Sequence, residues 1–301
     1  MKSVRLGTRG SKLAIIQAQE LQNKLTQFVP ELTISLVRIK TTGDRDRATA
    51  LDDFFDQGVF VKELERALLD GRIDLAVHSL KDLPTEIPQG LSLTAVTSRL
   101  DPRDVLVSRS GKLKELPRGS KIGTGSRRRN VQLLALRPEL NISDIRGNID
   151  TRLRKVSEGE FDGIIVAAAG MIRLGMEERI TEYLPPELFT PAVAQGALGV
   201  ETRANDKETI SLVSKINHRQ TWQAVIAERA FLRALGGGCR APIAALGTVS
   251  GDTLKLMGMV AKIEGVQIIR STDEGAASQP EHIGRSLAQK MTDMGALSIM
   301  H

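Results

Sequence analysis

Val4-Arg5-Leu6-Gly7-Thr8-Arg9-Gly10-Ser11 reads as a short strand, a Gly-Thr step and a Gly-Ser turn, and Lys121-Ile122-Gly123-Thr124-Gly125-Ser126 repeats that order. Each leads into a helical stretch. A second pair follows the same rule. Gly71-Arg72-Ile73-Asp74 precedes the apolar Leu75-Ala76-Val77, and Gly159-Glu160-Phe161-Asp162 precedes Ile164-Ile165-Val166. Gly-Thr and Gly-Ser turns are common strand-to-helix connectors, so one echo alone carries little. Two echoes in the same chain order predict two similar α/β domains, with a ligand cleft between them at the carboxyl ends of the strands.

The intervening stretches fit that plan. Leu13, Ile16, Leu21 and Leu25 form a loose apolar face, which predicts a helix over 11–25 with Ser11 as N-cap. Leu32 to Ile39 and Asp74 to His78 read as strands, and Phe60 to Leu69 as a helix with Phe60, Leu64, Ala67 and Leu68 inward. The alternation predicts α/β layers on a largely parallel sheet. After a helix over 221–235 the pattern changes. Strand candidates at 243–249, 253–260 and 266–271 and a helix near 281–294 predict a small α+β domain with an antiparallel sheet. The expected division is 1–97 plus 197–215, then 102–190, then 219–301.

The length of 301 residues suits two or three domains of about 100–150 residues. No apolar run reaches the roughly 18 residues a spanning helix needs, and the amino terminus has no apolar export segment. With a single cysteine, this points to a reducing cytoplasm. The net charge of +6 admits nucleic acid, an anionic membrane or an acidic small molecule as partner. Aromatic residues make up 3% of the chain, too few for base stacking, so acidic small ligands fit best. No nucleic-acid or membrane partner is expected. His78, His218, His282 and His301 lack ligand spacing, and no metal site is expected.

The chemistry concentrates at predicted strand ends and helix starts. Helix amino termini favour negative charge, yet Arg9 and Arg127-Arg128-Arg129 stand at two of them. A bound anion would explain this, held by free backbone N–H groups, hydroxyls and guanidinium forks; a solvated basic surface is the alternative. Arg146, Arg152 and Arg173 occupy similar places. In His78-Ser79-Leu80-Lys81-Asp82-Leu83-Pro84, Lys81 and Asp82 follow a buried strand, and Asp82 is a lone carboxylate among arginines. Such a group stays ionised and can hold an amine or pyrrole N–H or stabilise a developing cation. His78 reads as a packed strand residue. Cys239, in Leu235-Gly236-Gly237-Gly238-Cys239-Arg240-Ala241-Pro242, is either a small buried hydrophobe or a covalent attachment point. The glycines add weight to the second reading by opening close backbone approach to the sulfur, though this segment alone leaves the first ahead.

These segments together resemble the hydroxymethylbilane synthase (porphobilinogen deaminase) family over nearly the whole chain. The resemblance is carried by Gly7-Thr8-Arg9-Gly10-Ser11, Phe60-Val61-Lys62-Glu63-Leu64-Glu65, Ala76 to Pro84, and Asp101-Pro102-Arg103-Asp104. It continues through Gly123 to Arg129, Ile145-Arg146-Gly147-Asn148 with Thr151-Arg152, Ala194-Gln195-Gly196, and Gly236-Gly237-Gly238-Cys239. It implies two periplasmic-binding-protein-like α/β domains around a cleft plus the small third domain, acting as a cytoplasmic monomer in tetrapyrrole biosynthesis. It implies a dipyrromethane cofactor on Cys239 through a thioether. Four porphobilinogen molecules would be joined in turn with loss of ammonia, and the linear hydroxymethylbilane released by hydrolysis. Asp82 would be the catalytic carboxylate. Ser79, Lys81, Asp82, Thr124, Ser126, Arg128, Arg129 and Arg146 would hold the cofactor. Arg9, Ser11, Gln17, Arg152 and Arg173 would hold substrate or the growing chain. The chain departs from the family at 51–59, an acidic stretch without the lysines many members carry there. A rival reading is a non-enzymatic two-domain binder of small polycarboxylates, which gives Cys239 and Asp82 no task.

Overall fold

The computed structural model describes residues 3–39, 61–237, 242–262 and 267–300. The chain divides into two compact units, Met1–Arg99 with Ala197–Trp222, and Leu100–Gly196 with Gln223–His301.

The first unit holds a five-stranded sheet of β1 (Ser3–Thr8), β2 (Thr33–Arg38), β3 (Leu75–Ser79), β4 (Leu91–Val96) and β10 (Leu198–Arg203), in the order β2-β1-β3-β10-β4. Helix α1 (Lys12–Phe28) packs Leu21 and Leu25 on one face against Val4, Leu6, Leu75 and Val77. Helix α2 (Lys62–Leu69) packs Leu64, Ala67 and Leu68 on the other against Ile73 and Ala76. Helix α6 (Lys207–Ser214) closes the α1 side with Leu212 and Val213. Both faces of the sheet are covered, which is why its strands read as apolar runs. The predicted inward residue Phe60 and the acidic stretch 51–59 lie outside the described residues.

The second unit repeats this order. Its sheet comprises β5 (Asp104–Ser108), β6 (Lys121–Gly123), β7 (Asn141–Ser143), β8 (Gly163–Ala167) and β9 (Glu182–Tyr183), arranged β7-β6-β8-β5-β9. Helix α3 (Arg127–Leu136) packs Leu133 against Ile122 and Ile165. Helix α4 (Ile149–Ser157) packs Leu153 and Val156 against Ile164 and Val166, and α5 (Ala168–Arg173) adds Met171.

The echoed residues make the same contacts in both sheets. Arg5 N donates to Asp74 Oδ2 (2.8 Å) and Asp74 N to Arg5 O (2.9 Å); Lys121 N donates to Asp162 Oδ2 (2.8 Å) and Asp162 N to Lys121 O (2.9 Å). A Cβ on Gly7 would lie 2.3 Å from Ile73 Cδ1, and one on Gly123 3.0 Å from Phe161 Cδ1. The glycine in each echoed strand, β1 and β6, makes room for the apolar residue of each Gly-x-x-Asp turn.

The sheets are mixed rather than largely parallel. β1 pairs in parallel with β2 and β3, but β10 runs antiparallel to both its neighbours; β6 likewise pairs in parallel with β7 and β8 while β5 runs antiparallel to β8 and β9. The reversed strand in each sheet is the first after the chain crosses from the other unit. It therefore does not arrive through a βαβ step, which is what forces parallel pairing.

Helix α7 (Arg219–Ala234) leads to an antiparallel sheet, β11 (Ile243–Ser250), β12 (Thr253–Ala261) and β13 (Ile268–Ala276). Helix α8 (Pro280–Asp293) buries Ile283, Leu287 and Met291, and α9 (Ala296–Met300) follows. Val131 of α3 packs with Ala244, Met259 and Ala261, so α3 is held on this sheet as well as on its own. No described helix is long and apolar enough to cross a membrane.

Candidate active site

In the first unit, β1 delivers Arg9, half-buried, and then Ser11, whose hydroxyl accepts from Ala14 N (3.3 Å) as the N-cap of α1. One turn further Gln17 is buried, and its Nε2 donates to Ser79 Oγ (2.8 Å), the last residue of β3. The chain then turns through a single 3-10 turn, Leu80–Asp82. Buried Leu80 anchors this turn, with its N donating to Ala197 O (3.0 Å) and Leu83 N donating to Leu80 O (3.2 Å). This leaves Lys81 half-buried and Asp82 exposed. Ser11, Gln17, Ser79, Lys81 and Asp82 thus gather at the carboxyl ends of two adjacent parallel strands. His78 points to the other face, buried, with Nε2 2.7 Å from Glu201 Oε2.

In the second unit, Thr124 is buried at the end of β6 and its Oγ1 accepts from Ser126 N (3.2 Å). Ser126 caps α3 by accepting from Arg129 N (3.4 Å). Arg127 is exposed, but Arg128 and Arg129 turn inward to one carboxylate. Arg129 Nε and Nη2 donate to Asp104 Oδ1 (3.1 and 2.6 Å), and Arg128 Nη1 lies 2.8 Å from Asp104 Oδ2. Arg128 Nη1 also donates to Thr190 O (2.7 Å), and Arg129 Nη1 to Ile165 O (3.0 Å). The opposition of these arginines to the helix dipole, read from sequence as awaiting a bound anion, is therefore answered in part by Asp104. Burial pushes the Asp104 carboxyl up, but the charges of Arg128 and Arg129 outweigh it and hold it well below the usual carboxylate range.

Asn148 caps α4 by accepting from Thr151 N (2.9 Å), leaving Arg146 exposed before it. Arg152 Nε donates to Gly147 O (2.8 Å). Burial lowers the Arg152 pKa, the charge of Arg129 lowers it further, and Asp144 opposes both. Arg173, half-buried on α5, donates from Nη2 to Gly196 O (3.3 Å).

Cys239 lies outside the described residues, but the first two glycines before it do not. Gly236 has φ +66°, Gly236 N donates to Arg233 O (3.0 Å) and Gly237 N to Leu232 O (3.1 Å). This is the Schellman ending of a helix. A Cβ on Gly237 would lie 2.3 Å from Ile243 Cδ1. These two glycines are required by helix termination and packing, so they do not by themselves argue for access to the sulfur.

Sequence reading assigned no role to Asp104, Gln195 or Gln132. Gln195 Nε2 donates to Asp104 Oδ1 (3.0 Å) and Pro102 O (2.7 Å). Gln132 accepts from Thr190 N (2.7 Å) and donates to Thr190 O (3.1 Å). The Asp-Pro-Arg-Asp and Ala-Gln-Gly segments were visible, but only the fold shows that they meet.

Two family models match the chain in order: "Porphobilinogen deaminase, dipyromethane cofactor binding domain" over residues 4–211 and "Porphobilinogen deaminase, C-terminal domain" over residues 222–293. The porphobilinogen deaminase of Syntrophomonas wolfei is 46% identical over 301 residues, covering 100% of this chain and 98% of that protein. That of Pelotomaculum thermopropionicum is 49% identical over 300 residues, covering 99% and 96%. That of Geobacter metallireducens is 46% identical over 299 residues, covering 99% and 94%. With both domains matched and close to half of all residues shared from end to end, the chain belongs to the porphobilinogen deaminase family.

Proposed function

We propose that Asp82 is the catalytic carboxylate of this chain and that Cys239 is the attachment point of its dipyrromethane. Family membership makes the chain a transferase, hydroxymethylbilane synthase, that joins four porphobilinogen molecules into a linear tetrapyrrole with release of ammonia. The observation that carries the site assignment is the arrangement at the end of β3. A partly buried Gln17–Ser79 hydrogen bond and the Leu80 anchor fix the turn that presents Lys81 and Asp82 outward.

The donors present suit a ligand with two carboxylates on each pyrrole ring. Thr124, Ser126, Arg128, Arg129 and Arg146 lie at strand ends and helix starts, where guanidiniums, hydroxyls and backbone N–H groups converge. In this reading they, with Ser79 and Lys81, hold the acid groups of the dipyrromethane. Bound there, the dipyrromethane supplies the pyrrole carbon onto which substrate is joined. Asp82, exposed at the end of this turn, accepts a pyrrole N–H and stabilises the positive charge that develops on porphobilinogen as ammonia leaves. Arg9, Ser11, Gln17, Arg152 and Arg173 serve the incoming substrate and the growing chain.

The proposal includes three domains, 1–97 with 197–215, 102–190 and 219–301, supported by the three separate sheets. It places the protein in the cytoplasm as a monomer. A thiol kept free for a thioether needs a reducing compartment; the monomeric state rests on the family resemblance.

Cys239→Ser tests the attachment point. The variant is expected to fold, to carry no covalent dipyrromethane through a thioether, and to lack turnover. Normal turnover by Cys239→Ser would overturn the assignment.

A further inference from the structure

We propose that Asp104 is a positioning residue that prebuilds the Arg128–Arg129 pair into a rigid cradle with one uncompensated positive charge. The inference rests on the reading that this pair holds cofactor carboxylates. Asp104 is fully buried at the first residue of β5, opposite Ala167, with its carbonyl accepting from Leu184 N (3.0 Å). Its carboxylate meets Arg128, both Nε and Nη2 of Arg129, and the Gln195 amide. The remaining guanidinium contacts are fixed carbonyls, Thr190 O for Arg128 and Ile165 O for Arg129. Thr190 is itself clamped at both N and O by Gln132. Two long side chains are thereby ordered at folding, and an incoming ligand need not order them. One carboxylate between two guanidiniums also leaves a single positive charge for a ligand carboxylate. Without it, two like charges would be buried side by side.

The test uses full-length apo-protein, with sulfate as anion probe and dipyrromethane loading followed by intact mass after porphobilinogen is added. Asp104→Asn keeps the shape and removes the charge. It is expected to melt below wild type without added anion, to be raised more by sulfate than wild type is, and to load about tenfold more slowly or worse. Asp104→Glu is expected to restore the wild-type response to sulfate. Loading of Asp104→Asn at the wild-type rate, or slow loading with an unchanged sulfate response, would overturn the proposal. If Asp104→Asn does not fold, Gln195→Met decides: it leaves the charge but removes one holder of Asp104. Slower loading at a near-normal melting temperature supports the proposal, and unchanged loading overturns it. Arg129→Gln separates the two levels. If it loads normally, the cradle reading itself fails; if it loads slowly while Asp104→Asn loads normally, only the role of Asp104 fails.

Discussion

Gln17 and Ser79 are joined by a partly buried hydrogen bond of 2.8 Å that runs from α1 to the end of β3. The turn carrying Lys81 and Asp82 begins at the next residue, so this bond sets where the turn starts. Gln17→Met and Ser79→Ala are each expected to lower stability by about 1–3 kcal/mol, because each leaves a polar partner unmet. The double variant is expected to fall short of the sum by roughly 1 kcal/mol. Denaturant titration of the four proteins checks this; strict additivity would show that the bond is not made in solution.

Asp82 is exposed and bears no fold contact comparable to that of Asp104. Asp82→Asn is therefore expected to melt within a few degrees of wild type and to retain loaded dipyrromethane. Its turnover should fall by roughly 10²–10⁴-fold, the range for losing a charge aimed at a developing cation. Single-turnover kinetics on the loaded protein is the measurement, and a near-native rate would show the charge to be dispensable.

Acid stability follows from Asp74. Burial pushes its carboxyl up, but hydrogen bonds from the Arg5 side chain and backbone and then from Arg203 outweigh this and hold it below the ordinary value. A depressed carboxylate stabilises the fold fully above its unfolded pKa of about 3.9, and that contribution disappears as pH falls through the lower folded value. Asp74→Asn should therefore be less stable than wild type at pH 6, with the gap narrowing only below about pH 4. Urea midpoints at several pH values report it; a gap independent of pH would contradict the assignment.

Gly237→Ala would place a methyl 2.3 Å from Ile243 Cδ1 and 2.8 Å from Leu232 Cδ1. A loss of about 1–3 kcal/mol is expected from such overpacking. Gly236→Ala should cost about 1 kcal/mol for its left-handed φ of +66°. Equal stability of both variants with wild type would mean that α7 does not end as described.

The repeat was legible because both copies depend on local signals. The Gly-Thr step, the Ser N-cap and the Gly-x-x-Asp turn each have a short-range physical cause, and the cap and the turn reappear as the same hydrogen bonds in both units. The antiparallel strands β5 and β10 were not legible, since strand direction depends on where the chain re-enters a sheet, not on the strand's own residues. Buried Gln17 could not be foreseen from an apolar face drawn through Leu13 and Ile16, which are only half-buried. Its partner Ser79 is 62 residues away. Asp104 was hidden for the same reason. Nothing near Asp-Pro-Arg-Asp shows that α3 returns two arginines to it. The first two glycines before Cys239 also end a helix, a role that sequence does not separate from an open approach to a thiol because both use the same residue.

The most direct test of the whole account is the intact mass of the purified protein with a peptide map across Cys239. The account predicts an added mass equal to two deaminated porphobilinogen units, located on Cys239, in protein as isolated or after reconstitution with porphobilinogen. A Cys239 that stays unmodified after reconstitution would contradict it.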